Sequence, residues 1–214
     1  MSLDDQLQQI RERAAALPAE RRAIMEAATR DLIASGIAER ALGVGDTVPD
    51  FELPNQRGET VRFADLVKDG PVVINFYRGG WCPYCNLEMK ALQDRLPEIV
   101  DLGAGLIAVS PELPDTAMST AEKNAISYDV LSDTGNRVAA AFGLAFTLAG
   151  PLQALYREFG LDLEKFNGDA SMTLPVPATY VVGADRKVIH AHVDPDYTRR
   201  MEPEDVLAAL RKPA

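Results

Sequence analysis

The chain has 214 residues, of which 47% are hydrophobic and 25% charged, proportions that are ordinary for a globular protein with a sizeable core. The net charge of -10 provides no basic field to collect phosphates, so we expect no nucleic-acid partner. We expect no membrane span, because no apolar run approaches roughly 18 residues. The charged N-terminal segment lacks the apolar stretch of a secretory signal, and we therefore expect a cytoplasmic protein.

Residues 1–40 are predicted to form an N-terminal helical arm ahead of one domain at 41–214. Apolar residues recur at steps of three and four from Leu3 to Leu17, Pro18 interrupts them, and a second run extends to a stop at Gly36. Two interpretations stay open at this point. The arm packs on its own domain as a helical hairpin, or it serves as a dimerisation arm in a homodimer.

The rest of the chain alternates strand and helix patterns. A short hairpin is predicted around 51–63, and the continuous apolar run at 71–77 is typical of a strand buried on both faces. The further predictions are helices at about 81–95, 118–125, 134–142 and 152–159, strands at 102–110 and 129–131, loop at 160–174, an antiparallel pair around 178–194 and a helix at 201–212. This order predicts an α/β domain with a mixed central sheet flanked by helices.

The two cysteines, Cys82 and Cys85, lie in the segment GGWCPYC between the buried strand and the next helix. Cysteines three residues apart at a helix start can bring their sulfurs into bonding range. The unpaired N–H groups and partial positive charge at that end stabilise a thiolate. Pro83 suits an early helical position, and Trp81 is expected to shield the dithiol. The segment therefore predicts a redox-active pair.

The two cysteines allow two other interpretations. A structural zinc site needs about four ligands, and His190 and His192 lie two apart in a predicted strand, so they could complete a set with Cys82 and Cys85. The cysteines could also be inert in a packed junction. The redox interpretation is favoured, because a buried strand, two glycines and then CPYC at a helix start is the arrangement that a redox dithiol needs. No metal is expected. No cofactor is expected either, since the sequence lacks a phosphate-binding glycine loop and any flavin or nicotinamide signature, and electrons must therefore arrive through thiols.

The segments around the dithiol resemble a known family. VPDFELPNQRGETVRFADLVKDGPVVINFYRGGWCPYCNLEMKAL resembles the opening of the peroxiredoxin-like AhpC/TSA family, and PATYVVGADRKVIHAHVD resembles its closing hairpin. The resemblance covers roughly residues 43 to 195 and leaves out the arm. It implies a thioredoxin-like fold, a hydroperoxide substrate and a thioredoxin- or glutaredoxin-type reductant.

The site departs from the family pattern in three places. With Cys85 on the peroxidatic cysteine, Arg78 stands where the family has proline and Cys82 where it has Thr or Ser. Pro177 falls near the position at which the family's arginine is expected. The stretch from Val176 to Thr179 resembles the thioredoxin loop whose cis-proline faces the dithiol. The resemblance thus implies a peroxiredoxin-like frame with a thioredoxin-like site.

Three hypotheses follow. In a thiol peroxidase, Cys85 attacks the peroxide, Cys82 condenses with the sulfenic acid, and Arg78, unless it is a solvated loop residue, supplies the missing positive charge. In a thiol–disulfide oxidoreductase, Cys82 is the nucleophile, Cys85 resolves the mixed disulfide, and Pro177 shapes the substrate groove. The third hypothesis is a non-catalytic or zinc-binding protein on a redox fold. The peroxidase is favoured, because the overall sequence pattern resembles that of the peroxide-reducing family.

Two further features near the dithiol each allow two interpretations. Glu88, one helical turn past Cys85, either orients a neighbouring group or is a first-turn acid favoured by the helix dipole. The stretch HVDPDYTRRMEP, with Arg199 and Arg200, is either an anion or partner site near the active face or a loop held by local ion pairs. The second interpretation is favoured.

Overall fold

The computed structural model describes residues 1–211, so the end of the predicted domain and C-terminal helix, residues 212–214, lies outside the described residues. Within them, no helix combines the length and apolarity that crossing a bilayer requires. The elements of the N-terminal part are α1 (Leu3–Ala15), α2 (Ala19–Ala34), α3 (Ile37–Arg40), β1 (Glu52–Pro54), β2 (Thr60–Arg62) and α4 (Phe63–Leu66).

The remaining elements carry the dithiol and the sheet around it. They are β3 (Val72–Phe76), α5 (Pro83–Asp94), α6 (Leu96–Asp101), β4 (Gly105–Ser110), α7 (Pro114–Lys123), β5 (Asp129–Ser132), α8 (Arg137–Ala141), β6 (Ala145–Thr147), α9 (Gly150–Glu158), α10 (Leu163–Asn167), β7 (Thr173–Pro175), β8 (Ala178–Val182), β9 (Val188–Val193) and α11 (Pro203–Leu210).

The central sheet has five strands in the order β5-β4-β3-β8-β9. Strand β3 pairs in parallel with β4 and antiparallel with β8, so the sheet is mixed, as predicted. Side chains of β3 alternate between the two faces: Ile74 and Phe76 join the apolar cluster on one face, and Val73 joins the cluster that contains Cys85 on the other. The predicted α/β architecture is confirmed.

The arm folds back onto its own domain. Leu3 and Leu7 of α1 are buried in the same apolar cluster as Met89 of α5. The Glu202 carboxylate accepts the N–H groups of Leu3 at 3.1 Å and Asp4 at 2.7 Å, which satisfies free donors at the start of α1 and suits the helix dipole. One of the two predicted roles of the arm, packing on the domain, is thus present in the single chain; dimerisation stays a prediction.

The structure differs from the sequence predictions in several elements, and two of the differences have a clear local cause. The predicted loop at 160–174 contains α10 and overlaps β7, and β7 pairs with β6. Both elements are too short for a periodic pattern; α10 is instead started by Asp162, whose carboxylate caps the Lys165 N–H at 3.1 Å. Helix α7 begins at Pro114 rather than at 118, since proline is well suited to the first helical turn.

Candidate active site

The dithiol lies where the chain passes from β3 into α5. Cys82 is the N-cap residue of α5, Pro83 is the first helical residue as predicted, and Cys85 lies in the first turn. Both cysteines are free thiols, and both are buried, with 1% of Cys82 and 0% of Cys85 exposed. The junction therefore holds a preformed pair of thiols at the positive end of a helix.

A buried carboxylate fixes the loop that delivers Cys82. Glu112 accepts the Gly80 N–H at 2.9 Å, the Tyr77 hydroxyl at 2.9 Å and the Thr120 hydroxyl at 3.2 Å. A side chain on Gly80 would begin 2.1 Å from Thr120 Oγ1, which explains why glycine stands there. Glu112 is not among the residues predicted from the sequence, although it follows directly after the buried strand β4, on the same sheet edge as the dithiol.

Arg78 is buried against three aromatic rings. Its guanidinium carbon lies 4.2 Å from the ring centroid of Tyr197, 4.8 Å from that of Trp81 and 5.8 Å from that of Tyr156. Its Nη2 donates to the Tyr156 hydroxyl at 2.8 Å. With 4% of the residue exposed, the interpretation of Arg78 as a solvated loop arginine is wrong. Trp81 packs on Arg78 beside the dithiol.

Within residues 1–211, the charge of Arg78 has no carboxylate partner. Among residues 1–211, no Asp or Glu forms an ion pair with it, and its Nε lacks a hydrogen-bond acceptor. A guanidinium stays protonated even when buried, and an unpaired buried charge is costly. An anion beside Arg78 relieves that cost, and the nearby Cys82 sulfur supplies one when it ionises.

The surroundings shift the pKa values of the two thiols in opposite directions. Burial opposes ionisation of Cys82, but the Cys85 thiol that donates to it and the charges of Arg78 and Arg200 outweigh burial and lower the pKa of Cys82 to about 5. Burial and the neighbouring Cys82 thiolate raise the pKa of Cys85 well above its usual range. At neutral pH the pair therefore holds one negative charge, located on Cys82, and one proton, located on Cys85.

A second buried arginine contacts Cys85. Arg200 Nη2 lies 3.5 Å from Cys85 Sγ, and Arg200 Nε lies 2.7 Å from Glu88 Oε2 as an ion pair whose side chains are each 1% exposed. The other Glu88 oxygen accepts the Thr179 hydroxyl at 3.0 Å, and Thr179 in turn accepts from Asn75 at 3.1 Å. Glu88 thus orients a neighbouring group, which was one of its two predicted roles.

The favoured interpretation of the HVDPDYTRRMEP stretch holds for Arg199 and is wrong for Arg200. Arg199 is exposed and pairs with Asp194 and Asp196 at 3.7 and 3.4 Å. Arg200 enters the core because the chain after β9 folds back over the start of α5. The resemblance implies an arginine near the closing hairpin, and Arg200 lies seven residues past β9 and in contact with Cys85. The arginine that the resemblance implies was therefore the one feature of the sequence that pointed to Arg200.

The expected role of Pro177 is corrected by the structure. All peptide bonds among residues 1–211 are trans, including the one before Pro177, so the predicted cis-proline is wrong. Pro177 is buried beside a small cavity that Arg78 and Tyr197 also line, while neither cysteine lines that cavity. Pro177 therefore shares a cavity with Arg78 and not with the cysteines. Thr179, two residues on, reaches the site only through Glu88.

A groove of about 820 Å³ leads to the dithiol, and Cys82 lines it whereas Cys85 does not. The arm contributes Gln6, Ile10 and Ala14 of α1 to its lining, and Trp81 lines it as well. A volume of this size suits a small-molecule ligand. Of the two sulfurs, the Cys82 sulfur is therefore the one that a molecule in the groove meets.

The zinc alternative requires further metal ligands close to the two cysteines. No three His, Cys, Asp or Glu side chains among residues 1–211 are grouped as metal ligands would be. His192 is partly buried, and burial lowers its pKa. His190 and His192 lie on β9, where His192 pairs in register with Thr179 and His190 with Val181. The structure offers the dithiol no set of metal ligands within the described part of the chain.

Comparison with known proteins agrees with this arrangement. The model of the AhpC/TSA family matches residues 44–191. The chain belongs to the AhpC/TSA family. A relative from Mycobacterium tuberculosis, named as peroxiredoxin Rv1608c, is 31% identical over 167 residues. These residues cover 78% of this chain and 95% of that one. Peroxiredoxin Bcp of Escherichia coli is 31% identical over 103 residues, 48% of this chain and 65% of that one.

A solved structure supports the same fold for this AhpC/TSA protein. The crystal structure of peroxidoxin BcpB from Mycobacterium tuberculosis superimposes with a TM-score of 0.63 at 29% identity, over 79% of this chain and 97% of that one. The predicted peroxiredoxin-like, thioredoxin-type fold and the thiol peroxidase class are confirmed at the level of the family. The helices α1 and α2 lie before the matched residues.

Proposed function

We propose that the protein reduces hydroperoxides through the Cys82–Cys85 dithiol, with Cys82 as the attacking thiolate. One observation carries the proposal: the dithiol at the start of α5 lies between two buried arginines, of which Arg200 is already paired with Glu88. Arg78 has no such carboxylate partner in the described residues, so its charge acts on Cys82. A thiolate held beside a fixed cation is the reactive form of a cysteine.

The chemistry balances on these residues. The Cys82 thiolate attacks the terminal peroxide oxygen; an S–O bond forms, the O–O bond breaks, and the leaving alkoxide takes up a proton to become an alcohol. The N–H groups of Arg78 are available to stabilise charge on that oxygen. The Cys85 thiol then condenses with the Cys82 sulfenic acid, giving the disulfide and one water.

The assignment reverses the order of action favoured from the sequence, which made Cys85 the attacking residue. Three properties support Cys82 as the attacking residue. It lines the groove, and its pKa is lowered to about 5. Arg78 beside it has no carboxylate partner among residues 1–211. Cys85 retains its proton and contacts Arg200. A protonated, enclosed thiol suits the resolving step.

A dithiol reductant completes the cycle. Thiolate attack on the Cys82–Cys85 disulfide and release of the second thiol return the protein to its starting state, so we propose a thioredoxin- or glutaredoxin-type reductant. The proposed place of action is the cytoplasm, where reduced thiols are maintained. A homodimer is proposed as well, and analytical ultracentrifugation tests it directly.

A second candidate, exchange with protein disulfides, is supported by the same Cys82 thiolate at the groove. Stopped-flow consumption of hydroperoxide by the reduced protein separates the candidates. A peroxidase consumes it orders of magnitude faster than a free cysteine with the same thiolate fraction. Reaction at the rate of a free thiol, together with ready reduction of insulin disulfides, would contradict the peroxidase and support the second candidate.

A further inference from the structure

The loop that carries Arg200 has no regular structure of its own. This Arg200 loop, residues 194–202, joins the end of β9 to the start of α11 and contains neither helix nor strand. Local hydrogen bonds shape its first half, in which the carboxylates of Asp194 and Asp196 accept the N–H groups of residues 196 and 198 at 2.8 and 3.1 Å. A segment without the hydrogen bonds of a sheet or helix opens easily unless other elements hold it.

Helix α1 holds the Arg200 loop on both sides of Arg200. The Arg11 guanidinium donates to the Thr198 carbonyl oxygen at 3.1 Å, two residues before Arg200. Two residues after it, the Glu202 carboxylate accepts two N–H groups at the start of α1. Among residues 1–211, the other hydrogen bonds and ion pairs that join this loop to earlier parts of the chain are those of Arg200 itself. The loop is therefore anchored by α1 and by the arginine that it carries.

Arg11 is itself held in place for this contact. Its Nη2 pairs with Asp4 Oδ1 at 2.6 Å, its Nε donates to Gln8 Oε1 at 2.8 Å, and its side chain is 26% exposed. A planar guanidinium with partners on three of its nitrogens has a fixed orientation. Arg13 on the same helix differs, because its side chain is exposed and forms no hydrogen bond or ion pair among residues 1–211.

We propose that α1 is a positioning element of the active site, in which Arg11 and Glu202 hold the Arg200 loop so that Arg200 reaches Cys85. Both α1 and Arg200 lie outside residues 44–191, the part of the chain that the AhpC/TSA model matches. The long Arg200 side chain must be ordered and desolvated to contact the sulfur, and a backbone fixed on both sides makes that ordering less costly. Arg11 and Glu202 are positioning residues, because they act on the dithiol through Arg200. Their effect on catalysis rests on the proposed peroxidase function, whereas their effect on the ionisation of the dithiol does not.

The ionisation of the Cys82 thiol tests this role in the reduced full-length protein. The double variant Arg11→Ala/Glu202→Ala releases the Arg200 loop from α1, so that Arg200 no longer holds its positive charge beside the dithiol. The midpoint of the thiolate absorbance is therefore expected about one unit above the unmodified value of about 5. The other titratable groups near the Cys82 sulfur are the same in both proteins: Arg78, Tyr84, Cys85, Tyr156 and Tyr197.

Single changes and a matched control separate the loop from other effects. Arg11→Ala alone leaves the capped start of α1 intact and is expected to shift the midpoint in the same direction, so the inference can be tested even if the double variant does not fold. Arg11→Lys, which retains a donor for the Thr198 carbonyl oxygen, is expected to shift it less than Arg11→Ala. Arg13→Ala/Glu204→Ala removes the same two charges from α1 and α11 and is expected to leave the midpoint unchanged, since Glu204 pairs with Arg95 and not with α1.

Catalysis gives a second readout that a loss of stability alone would not produce. The pH dependence of the second-order rate constant for hydroperoxide reports the ionisation of the attacking thiol in the free protein. A midpoint about one unit higher is expected to slow the double variant roughly fivefold near pH 5 and to leave its rate nearly unchanged at about pH 8.

An unmoved midpoint in the folded double variant, or in Arg11→Ala where only that variant folds, would overturn the inference. So would equal shifts in the double variant and the matched control, since the loss of two charges would then suffice without the loop. A shifted midpoint without rapid hydroperoxide consumption by the unmodified protein would overturn the peroxidase function and leave the role of α1 standing. Rapid consumption with an unmoved midpoint would do the reverse.

Discussion

At the scale of single residues, the site is organised by two buried guanidinium groups with different counter-charges. Arg200 is paired with Glu88 at 2.7 Å, whereas Arg78 packs against the rings of Trp81 and Tyr197. Since a buried cation favours an anion nearby, the ionisation of the dithiol is directed to the sulfur that Arg78 faces. The division of roles between the cysteines follows from this asymmetry.

The pKa of Cys82 tests that asymmetry. In Cys85→Ser, whose hydroxyl still donates to Cys82, thiolate absorbance is expected to titrate far below the ordinary cysteine pKa of about 8.5, near the value of about 5. Replacing Arg78 with Gln is expected to raise the midpoint by at least about one unit. A midpoint near 8.5 before the Arg78 change would refute the account of Cys82 ionisation.

Glu88 gives a pH dependence of opposite sign to that of an ordinary exposed acid. Burial raises the pKa of Glu88 to about 7, although Arg200 opposes the rise. Its pKa in the unfolded chain is about 4.3, so the folded state holds the proton more tightly. The contribution of Glu88 to stability is therefore present below pH 4 and is lost as pH rises to 7.

This linkage predicts a specific difference between two proteins. Between pH 4 and 8, the free energy of unfolding of the unmodified protein is expected to fall relative to that of Glu88→Gln by up to about 3 kcal/mol. Urea denaturation at a series of pH values measures it. A constant difference between the two proteins across this range would show that Glu88 does not titrate in the folded state there.

The residues that could be predicted here are those marked by local spacing. Cys82, Cys85 and Pro83 stand together in the chain, and their helix start follows from that spacing. Arg200 is 115 residues from Cys85, and its contact depends on how the chain after β9 folds back. No local pattern separates it from the exposed Arg199 beside it. Glu112 was marked only by its place just after β4, and the residue that it holds, Gly80, lies 32 residues earlier in the chain.

At the scale of elements, the arm was predictable as two helices because its apolar steps and Pro18 are local signals. Its docking was not, since periodicity shows which face of α1 is apolar and not what covers it. In the structure, Leu3 and Leu7 supply part of the core beside α5. The arm is therefore expected to contribute to the stability of the dithiol region.

Replacing Leu7 with Ala tests this contribution. Leu7 is 1% exposed, and its truncation is expected to lower the free energy of unfolding by about 2–4 kcal/mol through lost burial and a cavity. Ile33→Ala on α2 is the matched control, because Ile33 is 51% exposed and its truncation should cost much less. Equal effects of the two changes would mean that α1 is not docked as described.

The loop before α5 gives a second test at this scale. Gly80→Ala places a methyl group against Thr120 and is expected to destabilise the protein by about 1–3 kcal/mol through overpacking. Adding Thr120→Ala should recover part of the loss, so a double-mutant cycle is expected to show coupling above about 0.5 kcal/mol. Strict additivity of the two changes would contradict the contact.

At the scale of the whole molecule, a strongly acidic protein concentrates buried positive charge at one place. Both buried arginines lie at the dithiol, whereas the net charge of the chain is -10. The sheet edge, the start of α5 and the chain after β9 converge there, and the arm encloses the approach. The fold class was predictable from the alternation of strands and helices, whereas this convergence of charge required the three-dimensional path of the chain.

The central claim is that Cys82 attacks the hydroperoxide and Cys85 resolves the product. Its most direct test is to react reduced Cys85→Ser and Cys82→Ser with one equivalent of hydroperoxide and to locate sulfenic acid by trapping and mass spectrometry. We expect rapid, stoichiometric sulfenic acid on Cys82 in Cys85→Ser, and only the slow reaction of an ordinary thiol in Cys82→Ser. Rapid sulfenic acid on Cys85 in Cys82→Ser, with Cys85→Ser inert, would contradict the account.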